Sequence, residues 1–90
     1  MNRIDIINKL KKIFLEVTEI GLKFEDLDVN NDNLFEGYGV NSIVALEYLI
    51  TVEDEFDIEI DDEYLDSRLV NNIPYLADYI IKAMEKNHYD

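Results

Sequence analysis

Apolar positions recur with a helical period in three stretches of this chain. Ile6, Ile7, Leu10, Ile13, Phe14 and Val17 fall within one third of a helical wheel, while Lys9, Lys12 and Glu16 occupy the other side. That spacing predicts an amphipathic helix from about Ile4 to Glu19, ended near Gly21. A second stripe, Ala45, Leu49, Val52 and Phe56 flanked by Tyr48, predicts a helix from Ser42 to about Phe56. The third stripe is Leu76, Tyr79, Ile80, Ala83 and Met84. It follows Asn72, a suitable N-cap, and Pro74, which a first turn tolerates because its missing N–H costs little there.

From Leu22 to Tyr38 the period disappears. Asp26, Asp28, Asn30, Asn31, Asp32 and Asn33 accumulate, and Leu27, Leu34 and Phe35 are the expected anchors of a long loop. Asp57-Ile58-Glu59-Ile60-Asp61 alternates with the period of a strand, but no second run exists to pair with it. It therefore reads as an extended link with Ile58 and Ile60 turned inward. Asp61 or Asp62 then caps a short helix from Glu63 to about Leu69, with Leu65 and Leu69 inward. The expected architecture is all-α: one domain over residues 1–90, a four-helix bundle with a long first connection and a short third helix. Its core spans about residues 4–86, and residues 87–90 are expected to fray.

Composition narrows the functional classes. A hydrophobic share of 48% over 90 residues is enough for a small core. Without cysteine, neither disulfides nor thiolate metal sites are available. Met1-Asn2-Arg3-Ile4-Asp5 opens no apolar run, and no stretch reaches membrane-spanning length, so a soluble cytoplasmic monomer is expected. The formal net charge is −13, and no Lys or Arg lies between Phe24 and Ser67. Such a field disfavours nucleic acid and anionic membranes and favours partners with basic patches.

Charge also bears on the outward side of the second helix, where Ile43, Glu47, Ile50 and Asp54 line up. Bulky aliphatics among acids suit a partner-binding face that combines burial with charge steering. The alternative is that the long loop covers Ile50 and Ile43. That loop also matches the opening of an EF-hand, Asp28-x-Asn30-x-Asp32-Asn33. Asn33 stands where the turn needs Gly, however, and Gly39 stands where a bidentate Glu should close the shell, so no metal ligands are assigned. Catalytic residues are not expected either. The single histidine, His88, lies in the tail, and neither Ser42 nor Ser67 has an evident activating base.

The remaining candidate chemistry is Gly39-Val40-Asn41-Ser42-Ile43. Gly39 permits a sharp turn, Asn41 is a good N-cap, and Ser42 is thereby displayed at a helix start whose unpaired N–H groups favour a phosphate ester. The motif follows Asp26-Leu27-Asp28 and Asp32-Asn33-Leu34-Phe35-Glu36. It precedes Val44-Ala45-Leu46-Glu47 and Val52-Glu53-Asp54-Glu55-Phe56-Asp57-Ile58-Glu59-Ile60. From about Ile6 to Met84 this order resembles the acyl carrier proteins and peptidyl carrier domains, which carry phosphopantetheine on the serine of Gly-x-Asp-Ser-[Leu/Ile]. Asn41 departs from that pattern: the cap is kept but a negative charge is lost. The resemblance implies a non-enzymatic carrier with covalent 4′-phosphopantetheine on Ser42 within a turn set by Gly39 and Asn41. Its arm would hold acyl, aminoacyl or peptidyl groups as thioesters. The implied partners are a phosphopantetheinyl transferase and acyl- or aminoacyl-loading and processing enzymes that dock on Ile43, Glu47, Ile50 and Asp54. Two other readings remain: an unmodified acidic helical interaction module, and a calcium-binding protein using the Asp28–Asp32 loop.

Overall fold

The computed structural model describes residues 2–60 and 67–88, the side chains of 87 and 88 excepted. Every regular element among them is helical: α1 (Arg3–Thr18), α2 (Leu34–Gly37), α3 (Ser42–Phe56), α4 (Ser67–Asn71) and α5 (Ile73–His88), with a 3-10 turn at Phe24–Asp26. The three periodic stripes are the three long helices. The bounds of α3 coincide with those expected, and α1 lies within a residue of its expected limits.

α1 packs against both α3 and α5. Its Ile6, Leu10, Ile13 and Phe14 are buried against Tyr48, Leu49, Val52 and Phe56 of α3 and Ile73, Leu76, Ala77 and Ile80 of α5. Ile7, Val17, Ala45, Tyr79, Ala83 and Met84, all assigned inward from the pattern, sit half-buried at the margin of this core. Lys9, expected on the polar side of α1, keeps its ammonium exposed. It reaches across to α3, 2.9 Å from Glu55 and 5.9 Å from the centre of the Phe56 ring. Its long methylene stem makes that possible, because the stem can lie along apolar surface while the ammonium stays wet.

Helix ends follow local backbone chemistry. Asn2 caps α1 through Asp5 N–H, and Asn72 caps α5 through Tyr75 N–H at 2.8 Å. α1 stops before Gly21, at Glu19, which adopts the left-handed conformation with φ 52°. α3 stops likewise at Asp57, also at φ 52°; Ile58 N–H then bonds Glu53 O, and the Glu53 carboxylate accepts Ile60 N–H at 2.9 Å. These bonds turn the alternating run 57–60 into a link rather than a strand, with Ile58 and Ile60 buried as expected.

The connection between α1 and α3 differs from a plain loop: it contains the 3-10 turn and the four-residue α2. Leu27, Leu34 and Phe35 are its buried anchors, as the pattern indicates. α2 was illegible because four residues hold no full helical period; burial of Leu34 and Phe35, rather than intrinsic propensity, makes it helical. α4 continues to Asn71, two residues past the expected Leu69, which is buried. Asp61, Asp62, Glu63 and Leu65, expected to cap and begin that helix, lie outside the described residues. So do the side chains of 87–90, where fraying is expected, although the helical backbone itself runs to His88.

Candidate attachment site and docking face

α2 ends and α3 begins within five residues, and Gly39, Val40 and Asn41 of the intervening turn each have a distinct task. Gly39 sits at φ 68°, and its N–H bonds Glu36 O while Val40 N–H bonds Phe35 O at 2.8 Å. This pair of bonds is a Schellman stop, whose left-handed residue favours glycine. A Cβ on Gly39 would meet nothing within 4 Å, so the demand for glycine there comes from the backbone angle rather than from crowding. Val40 is half-buried against the core, and Asn41 then starts α3: its side-chain oxygen accepts Val44 N–H at 3.0 Å. The cap that an Asp would provide is therefore made by Asn41, a bond of about 1 kcal/mol in such positions.

Ser42 is the first residue inside α3 and is exposed. In the first turn of a helix the leading amides have no intrahelical acceptor, and the Asn41 side chain takes only that of Val44. The amides of Ser42 and Ile43 thus have no intrahelical acceptor and lie at the positive end of the helix dipole, beside the serine. An ester phosphate fits this arrangement in charge and in hydrogen bonding.

From this tip the outer face of α3 runs down as one strip. Ile43 is 69% exposed and Ile50 48%, with exposed Glu47 and Asp54 alongside. Ile50 is accordingly not covered by the connection. Leu46, at 54% exposure, completes the strip and was missed from sequence. The signal was present, since Leu46 lies three residues after Ile43 and four before Ile50. Neither Glu47 nor Asp54 forms an ion pair among the described residues.

The asparagine-rich run upstream has a structural use. Asp28 and Asn31 accept the N–H groups of Asn30 and Asn33 at 2.9 and 2.8 Å, which are Asx turns. Asp32 accepts from the side-chain amide of Asn72 at 2.6 Å. Among the described residues no three His, Cys, Asp or Glu are grouped to hold a metal ion. No helix there is long and apolar enough to cross a membrane.

Behind the site, in the core, Phe14, Phe35 and Tyr48 interlock. Phe14 meets Phe35 edge-on at 5.3 Å and Tyr48 at 5.9 Å, and Phe35 and Tyr48 are 5.3 Å apart. The Tyr48 hydroxyl is buried without a hydrogen-bond partner among the described residues, and burial pushes its pKa up, because the phenolate cannot be solvated there.

Comparison with known proteins agrees with this geometry. Residues 8–80 match the family model described as "Phosphopantetheine attachment site". The chain is 32% identical over 86 residues to the acyl carrier protein of Buchnera aphidicola subsp. Schizaphis graminum (strain Sg), covering 96% of this chain and all of that protein. No solved structure matches it. With a helix-start serine framed by a Schellman glycine and a capping asparagine, and a family match over most of its length, the chain belongs to the phosphopantetheine-attachment family of carrier proteins and is a non-enzymatic carrier.

Proposed function

We propose that Ser42 is the residue that carries 4′-phosphopantetheine, and that the chain is a carrier of acyl, aminoacyl or peptidyl groups. The observation that supports it most directly is the placement of Ser42: an exposed hydroxyl at the first position of a capped helix, beside amides without helical acceptors. In the transfer, the seryl oxygen bonds to the phosphorus of coenzyme A nearest the pantetheine, adenosine 3′,5′-bisphosphate leaves, and the hydroxyl proton passes to the transferase. The group then supplies a terminal thiol that holds the cargo as a thioester. The helix tip orients the phosphodiester, and the left-handed Gly39 keeps the turn compact. The arm confines its cargo to the neighbourhood of each docked enzyme, raising its effective concentration there.

The strip Ile43, Leu46, Glu47, Ile50 and Asp54 is the proposed docking face for the transferase and for loading and processing enzymes in the cytoplasm. Its aliphatics offer burial, and its acids steer a basic rim toward the serine.

The test is intact-mass spectrometry after incubation with coenzyme A and a broad-specificity phosphopantetheinyl transferase. Wild type and Asn41→Asp are expected to gain one arm, and Ser42→Ala none. A wild type that stays unmodified while Asn41→Asp is converted identifies a degenerate carrier; if neither takes the arm, the assignment of Ser42 fails.

A further inference from the structure

The segment that presents Ser42 is held from a distant part of the chain. α2 has only four residues, far below the roughly 12–15 that an isolated helix needs to be even marginally stable. Its own N-cap residue, Asn33, makes no side-chain cap bond. The missing acceptor comes from α4. The side-chain oxygen of Asn71 takes Phe35 N–H at 2.8 Å and, more weakly, Glu36 N–H at 3.4 Å. Asn71 is the only polar residue buried in the described core, at 6% exposure. Its neighbour Asn72 holds Asp32 just upstream of α2.

The two residues capped by Asn71 are the same two whose carbonyls close the Schellman stop. Phe35 O accepts Val40 N–H and Glu36 O accepts Gly39 N–H. One side-chain oxygen therefore fixes the donor side of two peptide-bearing residues whose acceptor side sets the turn into Asn41 and Ser42. We infer that Asn71 is a positioning residue for Ser42. By capping α2 from α4, it holds the 37–41 turn in the single conformation that a modifying enzyme must meet. This role rests on the assignment of Ser42 as the attachment residue.

Without the cap, α2 frays and the turn samples other conformations. A partner that binds one conformation then sees only the competent fraction, and apparent affinity falls by that fraction while the bound complex reacts as before. Asn71→Leu keeps the apolar packing volume but leaves Phe35 N–H without its acceptor. Asn71→Asp retains an acceptor oxygen at the same reach. Asn71→Ser is polar but too short, and it serves as the milder disruption if the leucine variant does not fold.

The experiment measures arm transfer by the transferase at saturating coenzyme A while the carrier concentration is varied, together with amide hydrogen exchange by NMR. For Asn71→Leu or Asn71→Ser, KM for the carrier is expected to rise about fivefold or more with kcat unchanged, and Asn71→Asp to restore it to within about twofold. Exchange at Phe35, Glu36, Gly39 and Val40 should quicken while the amides of α1 and α5 keep their protection. A modified wild type with variants of unchanged KM overturns the positioning role alone. So does exchange that rises equally throughout α1 and α5, which marks a general loss of stability. A wild type that accepts no arm overturns the attachment assignment and this role with it.

Discussion

On the inner face of α3, Tyr48 and Val52 are fully buried and Leu49 and Phe56 nearly so; on its outer face, Ile43, Leu46 and Ile50 stand 69%, 54% and 48% exposed. Both faces are rich in aliphatic side chains, and a helix that is apolar on both sides would ordinarily be buried on both. The inner residues meet α1 and the aromatic pair Phe14 and Phe35, so they are fully or nearly out of water in the isolated chain. The outer residues keep about half or more of their surface in water and sit among exposed Glu47 and Asp54. A contiguous apolar strip of this kind is the feature on which the proposed docking face rests. On the proposed docking reading, stability and recognition lie on opposite sides of one helix, and each should be alterable with little effect on the other.

The largest expected effect is on the inner side. Leu49→Ala removes buried methylenes from a packed site and should cost about 2–5 kcal/mol of stability, read from urea denaturation. At a temperature where the variant is folded, the rate of arm transfer should match wild type. A loss below about 1 kcal/mol means that the inner face does not hold the bundle as described.

An outer substitution should do the reverse. Ile43→Ala or Leu46→Ala is expected to change stability by no more than about 0.5 kcal/mol, as surface changes usually do. The same change should raise KM for a loading or processing enzyme about five- to tenfold, a loss of about 1–1.4 kcal/mol in docking. Glu47→Gln belongs to the same test, with its effect concentrated in the association rate at low salt. Should Ile43→Ala unfold the protein, the outer face is core after all and the comparison collapses.

How much of this was readable beforehand follows from the length of each pattern. α1, α3 and α5 span four turns or more, so the apolar period repeats often enough to fix their inward sides and, for α1 and α3, both bounds. The turn Gly39–Ser42 was readable for a different reason: glycine, asparagine and serine each have a narrow backbone or capping role. α2 was not readable, since four residues carry no period and its helicity depends on Leu34 and Phe35 finding the core. Asn71 was equally hidden. Its partners are 35 and 36 residues away, and an asparagine near a helix end looks like any other surface polar residue. Leu46 was overlooked although its spacing was sufficient to find it.

The smallest effect probes the one polar group in the apolar inner face. The Tyr48 hydroxyl has no hydrogen-bond partner among the described residues, and leaving such a group buried costs about 1–3 kcal/mol. Tyr48→Phe removes it while keeping the ring against Phe14 and Phe35. After allowance for the small void left behind, stability at neutral pH should rise by up to about 1 kcal/mol. The pH dependence gives an independent check. Burial raises the folded-state pKa above the unfolded value of about 10, so below that pH both states hold the proton and Tyr48 adds no slope. Above it the unfolded chain releases a proton that the folded chain retains. Wild-type stability should therefore fall by about 1.4 kcal/mol per pH unit from this residue alone, a slope the phenylalanine variant lacks. Urea titrations of both proteins at pH 8 and pH 11 measure the gap between them, which should widen at the higher pH. An equal gap at both values means that Tyr48 ionises within the folded bundle. In that case the inner face is open to water at its centre, and the division between a dry inner side and a wet outer side of α3 does not hold.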